Sequence, residues 1–407
     1  MTLQSGFFMK KAIPFFLSQA ITLFGSQIVA FTIVWYITLE TSSGFWVAMF
    51  SICSFVPQFF MSFAGGVWAD RHSKKIQIIG SDALIALLTL GMVLLLPTFN
   101  DGTPLRMALL VLVSLRSVAT GVQIPAVNSA IPQIVSEDLL MKANGIHSTM
   151  QSVANFAAPV AAGAVMSVMT LRASLLIDVA TAVVGIAILS FIFIPHQLSN
   201  GSTATSDFKA DVRDGIRYSI TNRPIGRILL LYGLFIFLSI PAGFLANLFV
   251  SRYFGGTYTH LMWVEIVGFG GMLAGGLLMS TWGGFKNRFR TLSAALALFG
   301  LIGILMGLTH NYVLYLAFML CYGVPLTAFQ AATTTFLQEN VAGNMQGRIF
   351  GLQNSMYSGF LPIGMALFGP LADHVSLRLL MVVSSVILIA LSLMLLPQAP
   401  GLRRTDS

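Results

Sequence analysis

The chain has 407 residues, of which 56% are hydrophobic and only 9% charged, far below the roughly 25% that a water-soluble domain carries to solvate its surface. That balance excludes an ordinary soluble enzyme or binding module and places the chain in a membrane. The net charge of +8 is what basic cytoplasmic loops leave behind, and it calls for no nucleic acid or other acidic partner.

A bilayer core of roughly 30 Å takes about 20 apolar residues per helix. Twelve such runs are predicted, over residues 12–39, 45–69, 76–97, 105–126, 144–169, 173–195, 225–250, 258–282, 291–310, 312–335, 347–370 and 376–396. The first follows Lys10 and Lys11 but is too long for a signal peptide and has no small-residue cleavage site after it. With the N-terminus inside, 17 of the 22 Lys and Arg residues fall on the cytoplasmic side. Arg106, Arg172, Arg252 and Arg378 fall outside, and Arg116 stands within the fourth run. Basic residues are retained on the cytoplasmic face, so both termini are expected there.

The longest polar stretch, Pro195 to Pro224, divides the chain into an N-terminal half (1–195), a cytoplasmic linker (196–224) and a C-terminal half with a short tail (225–407). The linker opens Ser/Thr/Gly-rich, and Ala210 to Ser219 has the charge spacing of a surface helix. The halves repeat one another. "GGVWAD" from Gly65 returns as "GGLLMS" from Gly275, Ile146 and Pro159 return as Ile349 and Pro362, and Pro125 matches Pro325. Two parallel six-helix halves related by an axis along the membrane normal resemble the major facilitator transporters, whose substrate site lies between the halves near the midplane.

Between the second and third runs, "GGVWADRHSKK" (Gly65 to Lys75) resembles that superfamily's loop signature Gly-x-x-x-Asp-Arg-x-Gly-x-basic-basic, with Ser73 in place of the usual glycine. The resemblance makes this loop a conformational latch, in which Gly66 lets helices approach, Asp70 and Arg71 supply charge, and Lys74 and Lys75 anchor at the inner leaflet. In the fourth run Arg116 lies about 16 Å deep at 1.5 Å per residue, near the midplane, so it should meet a cavity or a partner rather than lipid. Arg116 and Gly121 are similar to the family's helix-4 motif. In the fifth run Ala158, Pro159, Ala162 and Gly163 resemble a relaxed form of the antiporter signature Gly-Pro-x-x-Gly-Gly, bending the helix and allowing tight packing against the other half.

Glu265, Asp178, Asp82 and Glu40 lie in or beside apolar runs. A carboxylate facing a cavity inside the membrane can take up and release protons or pair with a cationic substrate. Glu265 and Asp178 lie about 10 and 8 Å from the outer surface and are expected to be reachable from outside. Asp82 is expected to serve the basic loop. The 32 Phe, 20 Met, 9 Tyr and 5 Trp residues can line an adaptable apolar cavity. The two cysteines, Cys53 and Cys321, sit in apolar runs, and neither they nor the six histidines have metal-ligand spacing. No Gly-x-x-x-x-Gly-Lys-Ser/Thr motif is present, so the energy is expected from a gradient rather than from ATP, with no cofactor, metal or catalytic residue.

With "EIVGFGGMLAGGLL" and "WGGFKNR" added to these motifs, the chain resembles the macrolide-efflux branch of the major facilitator superfamily. The resemblance implies a proton-coupled antiporter that exports amphipathic small molecules, macrolides or other drugs among them, by alternating access. The alternatives are a proton-coupled nutrient importer of the same fold and a siderophore or metabolite exporter. Short loops suggest a monomer whose partners are its substrate and the bilayer, and the lack of a transit peptide suggests a bacterial cytoplasmic membrane.

Overall fold

The structure is a computed structural model that describes residues 2–99, 102–135, 139–194 and 216–395, without the side chains of 2–11, 67, 70, 71 and 344. Every described element is helical, because a backbone in hydrocarbon must satisfy its own polar groups and a helix does so within one segment. In chain order the helices are α1 (Thr2–Thr41), α2 (Gly44–Arg71), α3 (Lys74–Leu95), α4 (Thr103–Ile134), α5 (Leu140–Val168) and α6 (Leu171–Ser190). After a short helical stretch at 216–221 come α7 (Arg223–Ser239), α8 (Ala246–Tyr253), α9 (Tyr258–Trp282), α10 (Arg288–Leu308), α11 (Tyr312–Asn340), α12 (Gly343–His374) and α13 (Leu377–Leu395). That short stretch is the one described part of the surface helix expected in the linker; the rest lies outside the described residues.

Among the described residues, eleven helices are long and apolar enough to cross a membrane. The twelfth span is interrupted. The run expected as a single helix over 225–250 ends at Ser239, turns through Ile240 to Leu245, and resumes as the eight residues of α8. Pro241 explains the stop, since it offers no N–H to continue the ladder. The turn closes with Gly243 N donating to Ser239 O at 2.8 Å and Leu245 N to Ile240 O at 3.0 Å.

The chain divides into two compact units. The first comprises Met1–Thr41 and Met49–Ser202, and the second comprises Ser42–Ala48 and Thr203–Ser407. Within the first, α1 packs on α5 and α6, and α3 packs on α4 and α6. Within the second, α7 packs on α12 and α13, and α10 packs on α11 and α13. These are the same pairings shifted by half a chain, so the repeat seen in the motifs is also a repeat of packing.

Glycines set the closest crossings. A Cβ on Gly65 would lie 2.7 Å from Gly121 O, and one on Gly121 would lie 2.7 Å from Gln58 O, so α2 and α4 touch backbone to backbone. In the second unit a Cβ on Gly271 would fall 2.1 Å from Leu320 O, and one on Gly275 would fall 2.9 Å from Val324 Cα, joining α9 to α11 in the same way. Gly66, expected to be the contact residue, has open space around its Cβ position, as does its counterpart Gly276. The neighbour one position earlier on each helix makes the approach.

Pro57 removes a donor from α2, and α4 repairs the ladder beside it. Gln58 N donates to Ser117 Oγ at 2.9 Å, and that hydroxyl donates to Ser54 O at 2.6 Å. Ser117 thus completes the link that an uninterrupted helix would make directly from Gln58 to Ser54. The same turn of α4 carries Arg116.

Candidate functional site

Arg116, with 8% of its surface exposed, points into the first unit. Its Nη1 donates to Asp178 and to Thr89 Oγ1. Asp178 on α6 is 1% exposed. Thr89 Oγ1 donates to its Oδ2 at 3.0 Å, and Ser26 Oγ donates to its Oδ1 at 3.2 Å. Four helices, α1, α3, α4 and α6, therefore each supply one polar residue to a single cluster. The sequence expectation that Asp178 is reachable from outside is corrected here: its carboxylate is enclosed, and both oxygens are occupied. A charged pair in low dielectric needs further hydrogen bonds, and Ser26 and Thr89 supply them to the carboxylate.

Seven residues along both α3 and α4, a second rung joins the same helices. Gln123 Nε2 donates to Asp82 Oδ1 at 2.6 Å. The two helices run antiparallel, so Thr89 with Arg116 and Asp82 with Gln123 are successive contacts on one face, about 10 Å apart. Asp82 is 4% exposed, and its Oδ2 is buried without a hydrogen-bond partner. The expected service of Asp82 to the basic loop is also corrected, because Lys75 Nζ instead donates to Ser190 O at 2.7 Å.

In the second unit Glu265 lies on α9, facing the helix that resumes after the break. Asn247 Nδ2, two residues into α8, donates to Glu265 Oε1 at 2.8 Å. The Oδ1 of Asn247 is buried without a partner, and so is the hydroxyl of the fully buried Tyr315. Tyr315 is within electrostatic reach of Glu265 and stacks on Phe249 of α8, with ring centroids 5.2 Å apart. No arginine or lysine pairs with Glu265 among the described residues. Its carboxyl is held by a neutral amide.

The remaining candidates are dispersed. Glu40 is exposed in the last turn of α1 and joins none of these clusters. The side chains of Asp70 and Arg71 lie outside the described residues. Ser73 caps α3 at φ −61° and ψ 116°, an extended conformation that any residue adopts, so the loop does not require the family's glycine. Lys74 is buried at the start of α3. On α5, Ala158 and Ala162 are fully buried and Pro159 and Gly163 are buried beside them, in a helix that packs on α1. Gln27 of α1 donates to Asn155 of α5 at 3.1 Å, one turn before Pro159.

Sequence reasoning missed a third cluster, which lies wholly in the second unit. Asp373, at the end of α12, accepts from Gly44 N at 2.6 Å, Phe45 N at 2.9 Å and Ser43 Oγ at 2.7 Å, and so caps the first turn of α2. Arg252 Nη2 donates to Asp373 Oδ1 and to Ser42 O, both at 2.6 Å, and Arg252 Nη1 donates to Ala372 O at 2.6 Å. Ser42 takes a positive φ of 46° at this joint. No sequence motif pairs Arg252 with Asp373, which lie 121 residues apart.

The profile of the Major Facilitator Superfamily matches residues 15–365. Macrolide efflux protein A of Streptococcus pyogenes is 29% identical over 390 residues, covering 95% of each chain. A protein of the same name from Enterococcus faecalis is 30% identical over 322 residues, covering 78% of this chain and 98% of its own. Among solved structures, a peptide transporter superposes with a TM-score of 0.71 at 12% identity, covering 96% of this chain and 94% of that one. A bacterial homologue of the iron transporter ferroportin in an inward-facing state superposes with 0.70 at 15%, covering 95% and 98%. At such identities these structures support the fold alone.

Proposed function

The chain belongs to the major facilitator superfamily and is a membrane transporter rather than an enzyme; from that premise we propose that it is a proton-coupled exporter of amphipathic small molecules, with macrolides the first candidates. The observation that carries this reading is the near full-length similarity to macrolide efflux proteins. We place both termini in the cytoplasm, on the distribution of Lys and Arg.

Glu265 is the residue to which we assign proton coupling. Its one described partner is a neutral amide from the helix that follows the break, and a discontinuous helix is where transporters of this kind gather substrate and ion sites. Protonation from the outer side would neutralise Glu265, weaken its hold on a cationic drug and favour the return to the inward-open state. The proton drives the cycle only if it binds one conformation better than the other. Arg116 and Asp178 already neutralise each other, so we assign them the positioning of α4 and α6 rather than the carriage of protons.

The test is accumulation of radiolabelled erythromycin in bacteria expressing the protein, with and without a protonophore, beside Glu265→Gln. Lowered accumulation that the protonophore restores is expected, with uphill export lost in Glu265→Gln. Unchanged accumulation with the protein in the membrane would remove macrolides as substrates. Full export by the variant would remove Glu265 from coupling.

A further inference from the structure

Asp82 is a carboxyl group that the transport cycle proposed above does not employ. It is 4% exposed, it lies within a span long and apolar enough to cross the bilayer, and one of its oxygens has no partner. The charged groups around it are few. On α4 the nearest is Arg116, two turns from Gln123, and its guanidinium is engaged by Asp178 and Thr89. On α6 it is Asp178, of the same sign. On its own helix Lys75 lies two turns toward the N-terminus and donates to the Ser190 carbonyl, while Lys74 is buried at the helix start. Arg116 and Asp178 cancel, so an ionised Asp82 would leave the two-rung cluster with a net negative charge inside the membrane.

An unpaired ion in that environment is far more costly than an unpaired neutral hydroxyl. Gln123 Nε2 donates to Oδ1, which marks Oδ1 as the carbonyl-type oxygen and leaves Oδ2 to carry a proton. We propose that Asp82 is a proton-binding site of the first unit, neutral in this conformation with the proton on Oδ2 and Gln123 holding the other oxygen. The step is simple protonation: the carboxylate takes one proton and loses its charge. Release of that proton would put a second negative charge two turns from Arg116, acting on the guanidinium and on Asp178 through its field rather than by contact. Proton occupancy at Asp82 and the pairing of Arg116 are thereby linked across α3 and α4. That this linkage serves transport rests on the exporter reading above.

Infrared difference spectroscopy on the purified full-length protein in lipid nanodiscs tests the site without any substrate. At neutral pH the protein should show a carboxylic-acid carbonyl band that is lost in Asp82→Asn. In Gln123→Met the band should remain but move toward the position of a carbonyl free of hydrogen bonds. Thermal unfolding and size-exclusion profiles establish that each variant is folded, and if Asp82→Asn does not fold, the Gln123→Met band shift decides alone. Identical spectra in the wild type and a folded Asp82→Asn variant, or no band shift in Gln123→Met, would overturn the proposal. Erythromycin flux measured on the same preparations separates the two readings: a band assigned to Asp82 without flux leaves the proton site and removes the substrate, and flux without the band does the reverse.

Discussion

Arg116 was conspicuous in the sequence because a lone guanidinium amid apolar residues must be compensated. Its partner was not, since Asp178 lies 62 residues away and only the packing of α3 against both α4 and α6 brings them together. The distinction has a measurable consequence. Asp178→Ala strands a buried cation and should cost about 3–5 kcal/mol, whereas the double substitution Arg116→Met with Asp178→Leu removes both charges and should recover most of that loss. Thermal unfolding of the three proteins in one detergent measures this, and a double variant as unstable as the single one would mean that the pair is not a self-contained unit. Glu265 stands in contrast. Held by a neutral amide, it should tolerate Gln with little change in unfolding temperature, so a loss of export there reads as a loss of chemistry rather than of fold.

Among the elements, the helices were legible from apolar run length, but their interruptions and closest crossings were not. Pro241 lies inside a run that hydropathy reads as continuous, and hydropathy does not register a missing N–H. In the same way "GG" at Gly65 and Gly66 marks a crossing without saying which glycine faces the neighbour. The structure answers with Gly65, so Gly65→Val should disrupt the α2 and α4 contact and lower the unfolding temperature, while Gly66→Val should leave it nearly unchanged. Equal losses in both would contradict the packing. Asp373 provides a second measurement at this scale. It satisfies two backbone donors in the first turn of α2, and replacing a side chain that caps a helix costs about 0.5–2 kcal/mol. Asp373→Ala should therefore destabilise the protein by at least that amount, because Arg252 loses its carboxylate as well. Hydrogen exchange at Gly44 and Phe45 should rise in the same variant.

For the whole molecule, the motif repeat has a counterpart in packing because each unit solves the same packing problem with the same small residues. Gly65 and Gly275 make equivalent contacts, and α3 and α10 take equivalent neighbours. Orientation rests on a different kind of signal, the uneven distribution of Lys and Arg, which reflects how the chain is inserted rather than how it packs. It therefore needs its own test. With Cys53 and Cys321 replaced by serine, a single cysteine at Gly256, in the turn between α8 and α9, should react with a membrane-impermeant maleimide in intact cells. A cysteine in place of Lys286, between α9 and α10, should react only after the membrane is permeabilised. The two positions flank one span, α9, so their labelling must be opposite if that helix crosses the bilayer. Reversed labelling would invert the topology, place Glu265 nearer the cytoplasmic face, and turn the proposed direction of proton entry around. Labelling of both in intact cells would show that α9 does not span at all.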